Sequence, residues 1–165
     1  MNKAGLEIFL NISVNFPEIN IIKYQYETDL LIVEVVLVKE ITRDQEEKVI
    51  IRCRECVQAL HILNKSKPQI FNIKFRRLAG FTFIRYYRDA ESLHETEIDL
   101  LMCLLRDEFC DYLFNEGKIP CDSFKKQMKR DLLQQLNNKY GTGYLFAYRD
   151  HGRLCMFNRN TGGGL

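Results

Sequence analysis

Cys53-Arg54-Glu55-Cys56 is the one CxxC in the chain. Two thiols at that spacing can hold a metal or cycle as a disulfide. A zinc site needs four ligands, and the sequence offers neither a second such pair nor two closely spaced histidines. A redox pair belongs at a helix N-terminus, where the dipole lowers the thiol pKa. Here the motif falls inside a helical run, on one apolar stripe with Val49, Val57, Leu60 and Leu63. The six cysteines, Cys53, Cys56, Cys103, Cys110, Cys121 and Cys155, therefore read as free and mostly buried thiols. No metal and no other cofactor is expected.

The three histidines, His61, His94 and His151, lie far apart in the chain, and none has a nucleophile beside it in sequence. His61 falls off the apolar stripe of its helix and is expected to face solvent. His94 sits in the first turn of a helix, whose dipole lowers an imidazole pKa. His151 sits at a turn tip. Carboxylates gather at Glu95, Glu97 and Asp99 and again at Asp107, Glu108 and Asp111. Glu91 with Glu95, and Asp107 with Asp111, share a helix face and have the types needed for metal binding or acid–base work. Acidic residues in a helix's first turns are equally ordinary complements of its dipole.

Several chemistries are excluded by missing motifs. There is no GxGxxG between a strand and a helix and no GxxxxGK[ST], which argues against nucleotide binding through a glycine-rich loop. No GxSxG elbow and no HExxH occurs either.

Two surfaces carry cations among apolar or aromatic neighbours. In a hairpin spanning 70–88, a turn at Leu78-Ala79-Gly80 with Arg77 opposite Phe81 puts Phe71, Ile73, Phe75 and Phe83 on one face. The other face then shows Asn72, Lys74, Arg76, Thr82, Tyr86 and Arg88, with Ile84 among them. Lys, Arg and an aromatic ring on an antiparallel sheet are the types that bind single-stranded nucleic acid, phosphates meeting the cations and bases stacking on the ring. In a helix expected at 122–139, Lys125, Lys126, Lys129 and Arg130 lie opposite Phe124, Met128 and Leu132, a basic face suited to an anionic partner. The expected nucleic-acid or anion-binding residues are thus Lys74, Arg76, Tyr86, Arg88, Lys125, Lys126, Lys129 and Arg130.

The elements that must position these residues follow from periodicity. The stretch 6–16 alternates as a strand would, yet Leu6, Phe9, Leu10 and Val14 also make a helical stripe, and Pro17 favours a helix that stops there. Runs at 19–26 and 30–39 form a hairpin, the second so apolar that it should be a central strand. Thr42 with Gln45 is a capping box that opens a helix running to about Asn64. The second hairpin follows. Ser92 with Glu95 is a further capping-box pattern, opening a helix with Ile98, Leu101, Met102, Leu105 and Phe109 on one face and Gly117 as its C-cap. A last hairpin pairs 144–148 with 153–158 across Asp150-His151-Gly152. The fold class is α+β: an antiparallel sheet built from β-hairpins, amphipathic helices packed on one face, in the order (α/β)ββαββααββ. Residues 1–159 are expected to form a single domain, with 160–165 a flexible glycine-rich tail.

The bulk numbers agree. The chain has 165 residues, 46% hydrophobic and 28% charged, which excludes a disordered class and allows a sizeable core. Its most apolar run, 30–38, is short and contains Glu34, and the N-terminal stretch does not read as a signal peptide, so a cytoplasmic protein with no membrane partner is expected. Residues 1–117 hold 15 Lys/Arg and 19 Asp/Glu, whereas 118–165 hold 9 and 3. This acidic body and basic end favour an anionic partner or a docking surface.

Three function classes result. The first is a non-catalytic interaction or regulatory module, with an unknown protein partner or a second copy in a homodimer. The second is an RNA- or DNA-binding protein using the second hairpin and the basic C-terminal helix. The third is an enzyme with a non-local site around His94 and the acidic helix.

Overall fold

The computed structural model describes residues 3–115 and 143–160, apart from the side chains of Arg159 and Asn160. The helix expected at 122–139, Gly117 and the residues after Asn160 lie outside the described residues.

The chain begins with α1 (Lys3–Asn15). Its buried residues include Phe9 and Ser13 as well as Leu6, Leu10 and Val14, a helical stripe that a strand's alternation would split between two faces. The Ser13 hydroxyl donates to the Phe9 carbonyl at 2.7 Å, so its burial leaves no orphan. Gly5 lets α1 lie against the sheet: a Cβ there would collide with the Tyr24 ring and hydroxyl. That hydroxyl donates to Asp29 at 2.7 Å, and burial together with this carboxylate holds the phenol above its usual range.

Three hairpins make the sheet. They are β1 (Ile19–Gln25) with β2 (Leu30–Leu37), β3 (Phe71–Leu78) with β4 (Phe81–Asp89), and β5 (Gly143–Asp150) with β6 (Arg153–Asn160). The order is β3-β4-β2-β1-β5-β6, antiparallel throughout. The first hairpin is central and the others flank it, so the terminal hairpin extends the sheet. Helices α2 (Arg43–Leu63) and α3 (Glu95–Phe109, followed by a 3-10 turn at Cys110–Tyr112) join α1 on one face. Leu31, Val33, Ile84, Tyr86, Leu145 and Ala147 of that face share one core with all three helices. The fold is α+β, with the element order expected from periodicity.

Four local expectations are corrected. The β3–β4 turn has two residues, Ala79 and Gly80, both at positive φ as a type I′ turn requires. Leu78 therefore opposes Phe81, and Arg77 opposes Thr82. A one-residue change of register moves every side chain of the second strand to the other face. Tyr86 and Arg88, expected on the outer face, point into the core and are 1% and 0% exposed. His61, expected in solvent, is buried: the stripe of α2 runs Val49, Cys53, Val57, His61, four residues apart each time. Cys56, Leu60 and Leu63 lie off it, Cys56 and Leu63 exposed and Leu60 half-buried. The capping box at Thr42 and Gln45 forms as expected, but α3 starts at His94 with no side-chain cap, and Ser92 is engaged elsewhere.

Among the described residues, no helix is long and apolar enough to cross a membrane.

Candidate functional site

Strand β4 carries charged and aromatic side chains on both its faces. On the outer face, Lys74 opposes Arg85, Asn72 opposes Tyr87, and Arg76 opposes Phe83. The same rows continue through Glu34, Ile32 and Val36 of β2, then through Ile21 and Lys23 of β1 to Tyr148 and Phe146 of β5. They end at Cys155 and Phe157 of β6. Among the described residues no helix packs on this face. Phe146, Tyr148 and Phe157 form an aromatic cluster with ring centroids 5.0–6.0 Å apart. Lys23 lies over the Tyr144 ring at 4.1 Å and Lys74 over Tyr87 at 5.3 Å. Between the two aromatic groups runs a shallow groove of about 430 Å³, bordered by Ile21, Glu34, Val36, Phe83, Phe146 and Tyr148. Glu34, the carboxylate at its centre, is neutralised by Arg85 at 2.6 Å.

Of the expected binding residues, Lys74 and Arg76 are exposed on this face, and Tyr86 and Arg88 are on the other. Lys125, Lys126, Lys129 and Arg130 lie outside the described residues. Sequence reasoning missed Arg85 and Tyr87, which take the outer places in β4, and it missed the β5–β6 aromatics. The alternation of Tyr144, Phe146 and Tyr148 against Leu145 and Ala147 was the available signal for the latter.

On the inner face, β4 feeds a buried polar network. The Arg88 guanidinium donates through Nε to Glu97 Oε1 at 2.5 Å and through Nη2 to Glu97 Oε2 at 3.1 Å. Its Nη1 donates to Asp89 Oδ1 at 2.6 Å and to the Ile70 carbonyl at 2.7 Å. Nη2 also reaches Ser92 Oγ at 3.2 Å. Burial works against the charge on Arg88, but the Glu97 and Asp89 carboxylates outweigh it and hold its pKa above the usual value. The Tyr86 hydroxyl donates to Glu97 Oε1, and burial beside that carboxylate pushes the phenol well above its usual range. Burial also opposes ionisation of Asp89, yet the N–H groups of Ile70 and Ser92 that it accepts, with Arg88 alongside, keep its pKa lowered.

His61 joins this network from the end of α2. Its Nε2 lies 3.1 Å from both Glu97 Oε2 and Arg88 Nη2, and its Nδ1 lies 2.7 Å from Ser66 Oγ. Ser66 is placed by the way the helix ends. Asn64 is the C-cap, and Lys65 takes the left-handed conformation at φ 51°. The N–H of Lys65 bonds the Ile62 carbonyl and that of Ser66 bonds the His61 carbonyl, the two bonds of a Schellman motif. That motif brings the second residue past the cap back over the residue three before it, which here puts a hydroxyl on an imidazole. His94 follows from the far side, its Nε2 3.3 Å from Ser66 Oγ and its ring edge-on to His61 at 5.5 Å. His94 also borders a cleft of about 570 Å³ between α1 and α3, with Ile8, Ile12, Phe16 and Ile98 on its apolar side and Asn11, Glu95 and Asp99 among its polar groups.

Cys53 and Cys56 part company: Cys53 is buried, its thiol pushed up to about 12 by burial first and by the neighbouring Cys56 and Glu97 next, while Cys56 is exposed. Among the described residues no three His, Cys, Asp or Glu side chains are grouped to hold a metal ion.

No protein-family model, curated protein or solved structure matches this chain.

Proposed function

We propose that this chain is a single-stranded nucleic-acid-binding module, and that the outer face of its sheet is the binding surface. The observation that carries this reading is the row of cations, Lys74 and Arg76 exposed and Lys23 half-buried, among half-buried aromatic rings on a face that no helix covers among the described residues. Lys74, Arg76 and Lys23 are spaced among Phe83, Tyr87, Tyr144 and Phe146, and the central carboxylate is already neutralised. Rings supply sequence-tolerant stacking for bases, and Lys and Arg supply phosphate contacts. The two aromatic groups on β4 and β5 stand three strand spacings apart, roughly 14 Å, so one strand of nucleic acid laid across the sheet meets both. A duplex has its bases paired inside and cannot stack on such a surface.

Fluorescence anisotropy with labelled 20-mers of dT and U tests this, against a duplex of the same length. With three phosphates neutralised, affinity for the single strand falls about 20-fold between 50 and 200 mM salt. Lys74→Glu with Arg76→Glu abolishes binding, and Phe146→Ala with Tyr87→Ala weakens it by about 1–3 kcal/mol per stacked base. Equal affinity for the duplex, or binding that survives the charge reversals, refutes the reading.

A second reading rests on the sheet's edges. Among the described residues β3 and β6 each pair on one side only, and an uncovered edge is a template for pairing with a second copy. A dimer in solution that dissociates on placing proline in β3 or β6 supports it.

A further inference from the structure

We propose that Ser66, His61 and Glu97 form a nucleophilic triad, with Ser66 attacking small neutral acyl esters. Two observations converge on it. The hydroxyl, the imidazole and the carboxylate are in hydrogen-bond sequence, at 2.7 Å and 3.1 Å. A nucleophile within reach of a base that is itself oriented by a third group is the arrangement by which a weak hydroxyl is activated. The chemically active end is also accessible: His61 and Glu97 are buried, whereas Ser66 and His94 are half-buried and meet solvent.

Hydrogen-bond bookkeeping assigns the imidazole tautomer. Arginine has five N–H groups and no acceptor. All five of Arg88 are satisfied by oxygen: Nε by Glu97 Oε1, the two on Nη1 by Asp89 and the Ile70 carbonyl, the two on Nη2 by Glu97 Oε2 and Ser92. The guanidinium thus needs nothing from His61, although Nε2 lies 3.1 Å from it. Glu97 only accepts, so the proton on the imidazole belongs on Nε2, facing Glu97 Oε2. Nδ1 is then the bare, basic nitrogen and accepts from the Ser66 hydroxyl. Ser66 Oγ in turn accepts from His94 Nε2–H. In the other tautomer Nε2 would accept from Arg88 Nη2 but would also turn its lone pair, with no proton, toward the Glu97 oxygen.

The reaction this supports is acyl transfer. Ser66 Oγ forms a bond to the ester carbonyl carbon as its proton passes to His61 Nδ1. Glu97, held in place by Arg88 and Tyr86, stabilises the imidazolium. The tetrahedral oxyanion forms next to His94 Nε2–H, the donor that rests on Ser66 Oγ. Collapse expels the alcohol, which takes the proton from His61, and water then hydrolyses the acyl-serine by the same route. Ser66 meets the cleft through His94, which lines it and lies 3.3 Å from Ser66 Oγ, and the substrate class is read from that lining. Ile8, Ile12, Phe16 and Ile98 suit a short acyl chain, and Glu95 and Asp99 repel an anionic one.

The test is covalent labelling of the purified full chain by a fluorophosphonate, read by intact mass and peptide mapping, with p-nitrophenyl acetate and butyrate as turnover substrates. The expected result is one adduct, on Ser66, absent in Ser66→Ala. His61→Gln slows labelling by on the order of 100-fold, the contribution of a positioned base. Should Ser66→Ala or His61→Gln lose its fold, mapping of the wild-type adduct still decides. A folded wild-type chain that takes up no label, or takes it on another residue, overturns the proposal.

Discussion

Strand β4 places two tyrosines and two arginines in four consecutive positions and sends them to opposite fates. Arg85 and Tyr87 stand on the outer face, Arg85 exposed and Tyr87 half-buried, Arg85 beside Glu34 and Tyr87 beneath Lys74. Tyr86 and Arg88 stand on the inner face, fully enclosed, both bound to Glu97. Identical residue types thus build an adaptable surface on one side and a rigid polar core on the other. The difference lies in the cost of being unpaired. An outer cation that loses its partner keeps its water, whereas an inner one keeps nothing. The inner network is therefore complete, with every donor of Arg88 used, while the outer face still has cations to offer.

The largest contrast comes from breaking each side. Arg88→Ala or Glu97→Ala leaves a buried charge without its partner and should cost about 3–5 kcal/mol in denaturant unfolding. The paired replacement Arg88→Met with Glu97→Leu should cost less than either single change, since it removes the Arg88–Glu97 pair together and leaves Asp89 held by the N–H groups of Gln69, Ile70 and Ser92. Arg76→Ala on the outer face should move stability by no more than about 0.5 kcal/mol. A large loss from Arg76→Ala would collapse the distinction between the faces.

Acid sharpens it next. The folded-state pKa of Asp89 lies below its unfolded value, about 3.9, so this group binds fewer protons in the folded chain. Its contribution is complete above about pH 4 and is lost as pH falls through the depressed folded-state value. Wild type should lose stability below that pH, and Asp89→Asn should flatten the acid limb. An unchanged limb in Asp89→Asn would show that the Ile70 and Ser92 contacts do not discriminate between charge states.

The smallest effect concerns the CxxC of α2. Cys56 should react with an alkylating reagent at the rate of an ordinary exposed thiol, and Cys53 only on unfolding, since burial pushes its thiol up to about 12. Mass mapping of the labelled peptide separates them, and equal rates would mean that the inner stripe opens readily.

Much of the fold was legible in local pattern. The capping box at Thr42 and Gln45, the apolar run of β2 and the turn residues of three hairpins each specify their own few residues, so element order followed from them. The site was legible only in part. The outer cations Lys74 and Arg76 were found because β3 has no ambiguity of face. Tyr86 and Arg88 were misplaced because the turn was read as three residues. His61 was expected in solvent because the stripe was drawn through Cys56, Leu60 and Leu63, although Val49, Cys53, Val57 and His61 recur at every fourth residue.

By itself the sequence determined which segments become helix and strand, because periodicity and caps act over a few residues. The return of Ser66 onto His61 is local in its hydrogen bonds, yet its left-handed residue is Lys65, where the sequence carries no Gly or Asn to mark it. Only the tertiary structure decided that Glu97, Arg88 and His94 meet that pair. Glu97 is 36 residues from His61, and Arg88 is 27. Their meeting depends on the register of β4 and on α2 and α3 packing over the same sheet face. A side chain's partners across such distances are chosen by the whole core at once, and no local pattern encodes them.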